Sequence, residues 1–246
     1  LTLVEQGLLK QNQLVISALN IGTQSEEYFR NLMRKKVTSV AFELITDENN
    51  CQPVVRSMSE ITGSSAVLIA AEYLSKKNVG MGKILGGITG VNPSEVVIIG
   101  AGTAGEFAAR TALGLGAIVK VFDSSIYRLK NLNQQVSPHI YTSIIQPNIL
   151  SNSLRTADVV IGAMEIMGNK TNFLVTENMV KRMKKGSVIV DTSIDQGGCF
   201  ETSELTSHEN PIFVKHYVIH YCVPNIASRV ARTASYALSN VFAPIL

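Results

Sequence analysis

The fold is decided by "VVIIGAGTAGEFAARTALGLGAIVKVFD", residues 96–123. Four apolar residues run into Gly100, Gly102 and Gly105; an alanine-rich stretch follows, and a second apolar run ends in Asp123. The pattern predicts a strand at 96–100, a helix at 103–115 and a strand at 118–122. The glycines form G-x-G-x-x-G. Alone that spacing is weak, but here it follows a strand, opens a helix and precedes an acid at the end of the next strand. Gly100 permits the tight turn, Gly102 leaves room for a pyrophosphate, and Gly105 lets the helix pack closely on the strand. The free N–H groups of the helix N-terminus meet the phosphate charge, so Thr103 and Ala104 join the glycines in the cofactor-binding set. Asp123 lies where a carboxylate accepts from both ribose hydroxyls and repels a 2′-phosphate, which favours NAD over NADP. Arg128, five residues on, suits either a 2′-phosphate or cover for an adenine. The competing reading, a tight strand–helix turn with no ligand, explains fewer of these features.

The same alternation continues outward. A helix is expected at 125–136, a strand at 139–144, a polar segment after it, then a strand at 158–163. A helix at 176–184, strands at 187–191 and 217–222, and a helix at 227–242 complete the series. Such βαβ alternation means a doubly wound, mostly parallel sheet with helices on both faces. Upstream, "QLVISALN" (13–20) and "VTSVAFELI" (37–45) read as strands around a helix at 25–35, part of a second α/β domain. "TDENNCQP" (46–53) reads as a loop, and 59–78 has helical spacing. The expected organisation is a partial N-terminal substrate domain at 1–53, a Rossmann-type NAD domain at 54–225, and a helix at 226–246 returning toward the first domain.

Composition narrows the function classes. The chain has 246 residues, 46% hydrophobic and 17% charged, with a net charge of +3. That charge is too small and dispersed for a nucleic-acid partner, and "KRMKK" (181–185) reads as a solvated helix end. No apolar run reaches the roughly 18 residues of a membrane span. No signal peptide is recognisable, and Cys51, Cys199 and Cys222 have neither disulfide-framework nor metal-ligand spacing, so a cytoplasmic setting without a metal is expected. His139, His208, His216 and His220 lack paired acids and read as structural.

Ligands of such sheets sit beyond the carboxyl ends of the strands. Two segments reach that edge: "IGAMEIMGNK" (161–170) and "VDTSIDQGGCFETS" (190–203). Ala163, Met164 and Ile194 therefore join the cofactor-binding set. On pattern alone Asp195 serves equally as a turn acid or as a polar group at the cofactor's reactive end.

"VVIIGAGTAGEFAARTALGLGA", "ADVVIGA", "GSVIVDTSIDQGGCFETS", "HYCVPN" and "PVVRSMSEITG" together resemble the alanine dehydrogenase family, related to the NAD-binding subunit of proton-translocating transhydrogenase. The Asp195–Glu201 run is the most specific, since the transhydrogenase branch typically differs there. The resemblance implies a two-domain subunit with a cleft between domains, assembled as a homo-oligomer (hexamer or dimer). The implied reaction is NAD-linked oxidative deamination of L-alanine to pyruvate and ammonia. Residue by residue, Ser59 matches a cofactor-contacting serine, Asp123 the adenosine-ribose acid and Arg128 a basic position beside the adenosine. Asp195 matches the catalytic-cleft aspartate, and Asn225 the asparagine after the last parallel strand. Two departures stand out. Asn225-Ile226-Ala227 replaces the family's Asn-Met-Pro, and Asn20 stands where the family has a catalytic histidine. An amide does not titrate usefully, so Asn20 cannot serve as a general base. The family's substrate-binding Arg and Lys are expected upstream of residue 1, and its closing C-terminal segment beyond Leu246, so the chain reads as a core fragment. Two other readings remain: a non-catalytic NAD-binding protein, which Asn20 favours, and a transhydrogenase-type subunit, which the Asp195–Glu201 run disfavours.

Overall fold

A computed structural model describes residues 3–19, 21, 24–164 and 173–245. Asn20, and residues 165–170 of the segment 161–170, lie outside the described residues. The chain divides into two compact units, Leu1–Met58 with Tyr236–Leu246, and Ser59–Ser235.

In the first unit, α1 (Leu3–Leu8), β1 (Leu14–Ser17), α2 (Glu26–Arg34) and β2 (Thr38–Ala41) form the expected βαβ piece, with β1 and β2 parallel. Ser25 caps α2 by accepting from the Tyr28 N–H, and Tyr28 and Leu32 turn their apolar face onto a small core with Leu19.

The second unit is built on a seven-stranded sheet. Its strands are β3 (Glu95–Ile99), β4 (Ile118–Asp123), β5 (Tyr141–Ile144), β6 (Val159–Gly162), β7 (Val188–Asp191), β8 (Ile212–Lys215) and β9 (Val218–Tyr221). The order is β5-β4-β3-β6-β7-β9-β8, parallel except for the β8–β9 hairpin at one edge. Successive residues of β3 point to opposite faces and feed two cores. Val96 and Ile98 pack with α3 (Pro53–Ser75) and α4 (Thr103–Gly114), whereas Val97 and Ile99 pack with α6 (Pro147–Thr156) and α7 (Glu177–Val180). Helices on both faces make this the doubly wound fold expected from the alternation. The order reverses at β3, so the loops after β3 and β6 open a crevice at the carboxyl ends of the strands.

Four expectations about the elements need correction. The polar segment after β5 is a helix, α6: Pro147 opens it, and Leu150 and Leu154, one turn apart, bury themselves in the core. β8 was not expected; it is a four-residue edge strand whose alternation is too short to stand out. α3 begins at Pro53, six residues before the expected start, and α7 is a single turn. The limits of the two units fall inside α3 and inside α8 (Ala231–Phe242). A helix running through a boundary carries no loop signal there. Between β4 and α6, α5 (Ile126–Gln135) is capped by Ser125.

At the opposite rim, where the parallel strands begin, buried Asp158 bridges Lys83 at 3.0 Å and Lys184 at 2.9 Å. It also accepts from the Glu95 N–H, and Glu95 in turn pairs with Lys120 at 2.9 Å. These charges outweigh burial and hold the Asp158 carboxyl below its ordinary range. Among the described residues, no helix is long and apolar enough to cross a membrane.

Candidate functional site

The glycine loop connects β3 to α4, and its three glycines are required for different reasons. Gly100 has φ +112°, and a Cβ there would lie 2.4 Å from the Ala163 carbonyl oxygen. It therefore serves the close approach of the loop after β3 to the loop after β6. A Cβ on Gly105 would lie 1.9 Å from the Gly100 carbonyl oxygen, so this glycine lets α4 pack against its own strand. Gly102 differs. Its φ of −76° suits any residue, and the nearest atom to an added Cβ is the Arg128 Nη1 at 4.0 Å. Packing does not demand a glycine here, and the space above it is open. Gly102 is also the N-cap of α4 and offers no side chain to the first-turn N–H groups, so those of Thr103, Ala104 and Gly105 find no acceptor within the helix. A cradle of N–H donors without a Cβ, overlooked by an exposed guanidinium, suits a pyrophosphate.

Asp123 ends β4 and is buried. Its Oδ2 accepts from the Ala101 N–H at 2.7 Å and its Oδ1 from the Ser125 N–H at 2.8 Å. The carboxylate therefore shapes the glycine loop from below, a role that the sequence does not reveal. Each oxygen retains a further lone pair. Ser59 lies one turn before Gly63, on the same face of α3. A Cβ on Gly63 would lie 2.1 Å from the Ala104 carbonyl oxygen, so that face runs against the start of α4.

The loops after β6 and β7 are laced together. Thr192 donates to the Gly162 carbonyl through its hydroxyl at 2.8 Å and through its N–H at 2.9 Å. The Ser193 hydroxyl donates to the Met164 carbonyl at 2.6 Å. Ala163 and Met164 thus sit beside Gly100 on one side and beside Ser193 on the other. Ile194 and Asp195 follow in a 3₁₀ turn, Ile194–Gln196, that ends at Gly197 in the left-handed region. Asp195 is exposed, yet the walls beside it remove enough water to push its carboxyl above the ordinary value, against the bonds from its own and the Gln196 N–H. Asn225 is exposed after β9 with φ +52°, and its carbonyl accepts from Ser228. The structure thus gathers Gly100, Gly102, Gly105, Ala163, Met164 and Ser193 at the crevice and carries Asp195 on the adjoining turn.

Sequence reasoning missed Asp191. It ends β7, is fully buried, and accepts from the N–H groups of Ser193 and Cys199 and from the Ser203 hydroxyl. Two acids four residues apart were visible; which one organises the loop was not. His216 has an acid partner that the sequence reading did not expect: its Nε2 lies 2.6 Å from the Glu177 carboxylate. His220 is fully buried, its Nδ1 on the Val218 carbonyl at 3.0 Å and its Nε2 on the Thr202 hydroxyl at 2.8 Å; burial pushes its pKa down to about 4. Burial also drives the Cys199 and Cys222 thiols up to about 12, which makes them inert.

Residues 66–246 match the family described as alanine dehydrogenase/PNT, C-terminal domain. The chain is 40% identical over 241 residues to "Alanine dehydrogenase 2" of Staphylococcus aureus (strain Mu50 / ATCC 700699), an alignment covering 98% of this chain and 64% of that protein. It thus spans about 64% of the length of the curated relatives it matches. Among solved structures, an L-alanine dehydrogenase superposes with a TM-score of 0.93 at 36% identity, covering all of this chain and 68% of the other. A transhydrogenase from Sinorhizobium meliloti superposes with a TM-score of 0.81 at 25% identity, over 96% and 68% of the two chains.

Proposed function

The chain belongs to the alanine dehydrogenase/PNT family, and from that membership we propose that it forms the cofactor-holding part of an NAD-dependent amino-acid dehydrogenase acting on L-alanine. The observation that carries the proposal is Gly102: its backbone is ordinary and its surroundings are open, so the missing side chain serves a ligand and not the fold. When bound, NAD supplies the acceptor for the hydride leaving the substrate Cα. The residues of this chain do the rest. The N–H groups at the start of α4 and the Arg128 guanidinium hold the pyrophosphate, with Ser59 on the adjoining helix face. Asp123 sets the loop and disfavours a 2′-phosphate. Ala163, Met164, Ile194 and Asn225 line the nicotinamide end. Asp195 balances positive charge at the substrate nitrogen, and the loss of water beside it raises its carboxyl above the ordinary value. Residues 1–53 contribute to the substrate side. The protein is cytoplasmic and homo-oligomeric in this reading, which rests on the family resemblance and on three free cysteines.

Calorimetric titration with NAD and NADP, followed by NADH formation from a panel of L-amino acids by the intact protein, tests the proposal. NAD should bind more tightly than NADP, and L-alanine should give the fastest NADH formation. Equal affinity for the two dinucleotides would overturn the cofactor assignment. A faster reaction with another amino acid would overturn the substrate.

A further inference from the structure

The chemistry proposed above leaves Asp191 unused, although it is among the most heavily engaged side chains of the crevice. Its Oδ1 accepts from the Ser193 N–H at 3.1 Å. Its Oδ2 accepts from the Cys199 N–H at 3.1 Å and the Ser203 hydroxyl at 2.7 Å, and the Phe200 N–H adds a further donor. A carboxylate offers about four lone-pair sites, so these donors saturate it. Ser193 precedes the 3₁₀ turn that carries Asp195, and Cys199 follows it. Between them, Gly197 and Gly198 take φ of +113° and +78°, and a Cβ on Gly198 would sit 2.6 Å from the Asp191 Oδ2. The turn thus closes directly over the buried carboxylate. A segment with two adjacent glycines has many other paths open to it, and one acceptor shared by several donors selects among them. The network extends further: the Cys222 thiol donates to the Ser203 hydroxyl at 3.6 Å, and Cys222 lies three residues before Asn225.

We propose that Asp191 is a positioning residue that holds the turn bearing Asp195 and, through Ser203 and Cys222, ties it to the strand end leading to Asn225. The inference rests on the reading of Asp195 as the cleft carboxylate. Asparagine cannot take the place of Asp191, because its NH₂ would face a donor where the carboxylate accepts.

Hydrogen exchange in the intact, unliganded protein tests the hold directly. Asp191→Asn should speed exchange of the amides in 192–200 by about tenfold or more, the consequence of stranding a buried donor. Asp195→Asn should leave those amides within about twofold of the parent, since the amide oxygen of Asn can still accept from the N–H groups of residues 195 and 196. Ser203→Ala should loosen the same segment less, and it decides the matter if Asp191→Asn fails to fold. Unchanged protection of 192–200 in the folded variant overturns the proposal. Turnover of L-alanine with NAD supplies the second arm. Asp191→Asn should lower kcat about 10–100-fold, as expected for a displaced reacting group, with NAD affinity within about threefold of the parent. The double variant Asp191→Asn/Asp195→Asn should turn over no more slowly than Asp195→Asn alone, because the first residue acts through the second. Multiplying losses would overturn positioning. Full kcat in Asp195→Asn together with a loosened turn in Asp191→Asn would remove the role assigned to Asp195 and leave the anchoring of the turn standing.

Discussion

Alanine at position 102 should remove cofactor binding and leave the fold intact. The φ of −76° needs no glycine, and an added Cβ meets only the Arg128 Nη1 at 4.0 Å, the mobile end of a long side chain. Glycine to alanine at a compatible site gains roughly 0.4–1 kcal/mol through the unfolded chain. Alanine is the poorer N-cap by a similar amount. The two nearly cancel, so the melting temperature should move by no more than about 4 °C in a unit of this size. Binding should respond differently. The methyl group occupies the place from which a phosphate oxygen reaches the first-turn N–H groups. Losing two hydrogen bonds to a charged group, at about 1.5–3 kcal/mol each, weakens binding by about two to four orders of magnitude. Gly105→Ala is the contrasting case: its Cβ would lie 1.9 Å from the Gly100 carbonyl oxygen, far inside the 3.0 Å that real Cβ contacts respect. Helix α4 must shift, at a cost of several kcal/mol typical of overpacking, and the melting temperature must fall. Calorimetry with NAD beside thermal melts of both variants separates these outcomes. If Gly102→Ala binds NAD within threefold of the parent, or melts as low as Gly105→Ala, the reasoning fails.

Asp123→Ser should relax the preference for NAD over NADP and also destabilise the protein by roughly 1–3 kcal/mol for each N–H it strands, Ala101 and Ser125 being the donors; parallel titrations and urea melts read the two effects, and an unchanged preference counts against the assignment. Asp195→Asn should leave NAD affinity within a few-fold and lower turnover by about 10²–10³, the usual loss for a well-placed electrostatic group; intact turnover would reduce Asp195 to a turn residue. His220 should impose a pH dependence on stability. Its folded pKa of about 4 lies below the ordinary 6.5, so the unfolded chain takes up the proton first as pH falls. Its contribution is complete above about pH 6.5, drains between 6.5 and 4, and loses roughly 3 kcal/mol in all. Urea midpoints from pH 7 to 4.5 should show this slope in the parent and lack it in His220→Gln; equal slopes would refute it.

The parallel sheet and the glycine loop were legible because they depend on local patterns: unbroken apolar runs, glycines at set intervals and an acid at a strand end. The interval 147–156 was not, because Asn148, Ser151, Asn152 and Ser153 are indifferent helix formers. The available signals there were Pro147 and the one-turn spacing of Leu150 and Leu154. Asp123 was read for its position, yet its bond to the Ala101 N–H joins residues 22 apart, a contact that no local pattern encodes. The importance of Asp191 was hidden for the same reason, since its partners extend 12 residues downstream and meet it only after the chain has reversed at Gly197 and Gly198.

The Asp158 cluster has a practical consequence for anyone redesigning this protein. It lies where the strands begin, whereas the glycine loop, Ser193 and Asp195 lie where they end. Asp158 is the buried member, and replacing it would strand the Glu95 N–H and remove the shared partner of Lys83 and Lys184. A mutagenesis library should therefore leave Lys83, Glu95, Asp158 and Lys184 untouched and vary the loops that follow β4, β6 and β9. Cofactor preference and substrate range could then be searched on one end of the sheet while the other end keeps every variant folded.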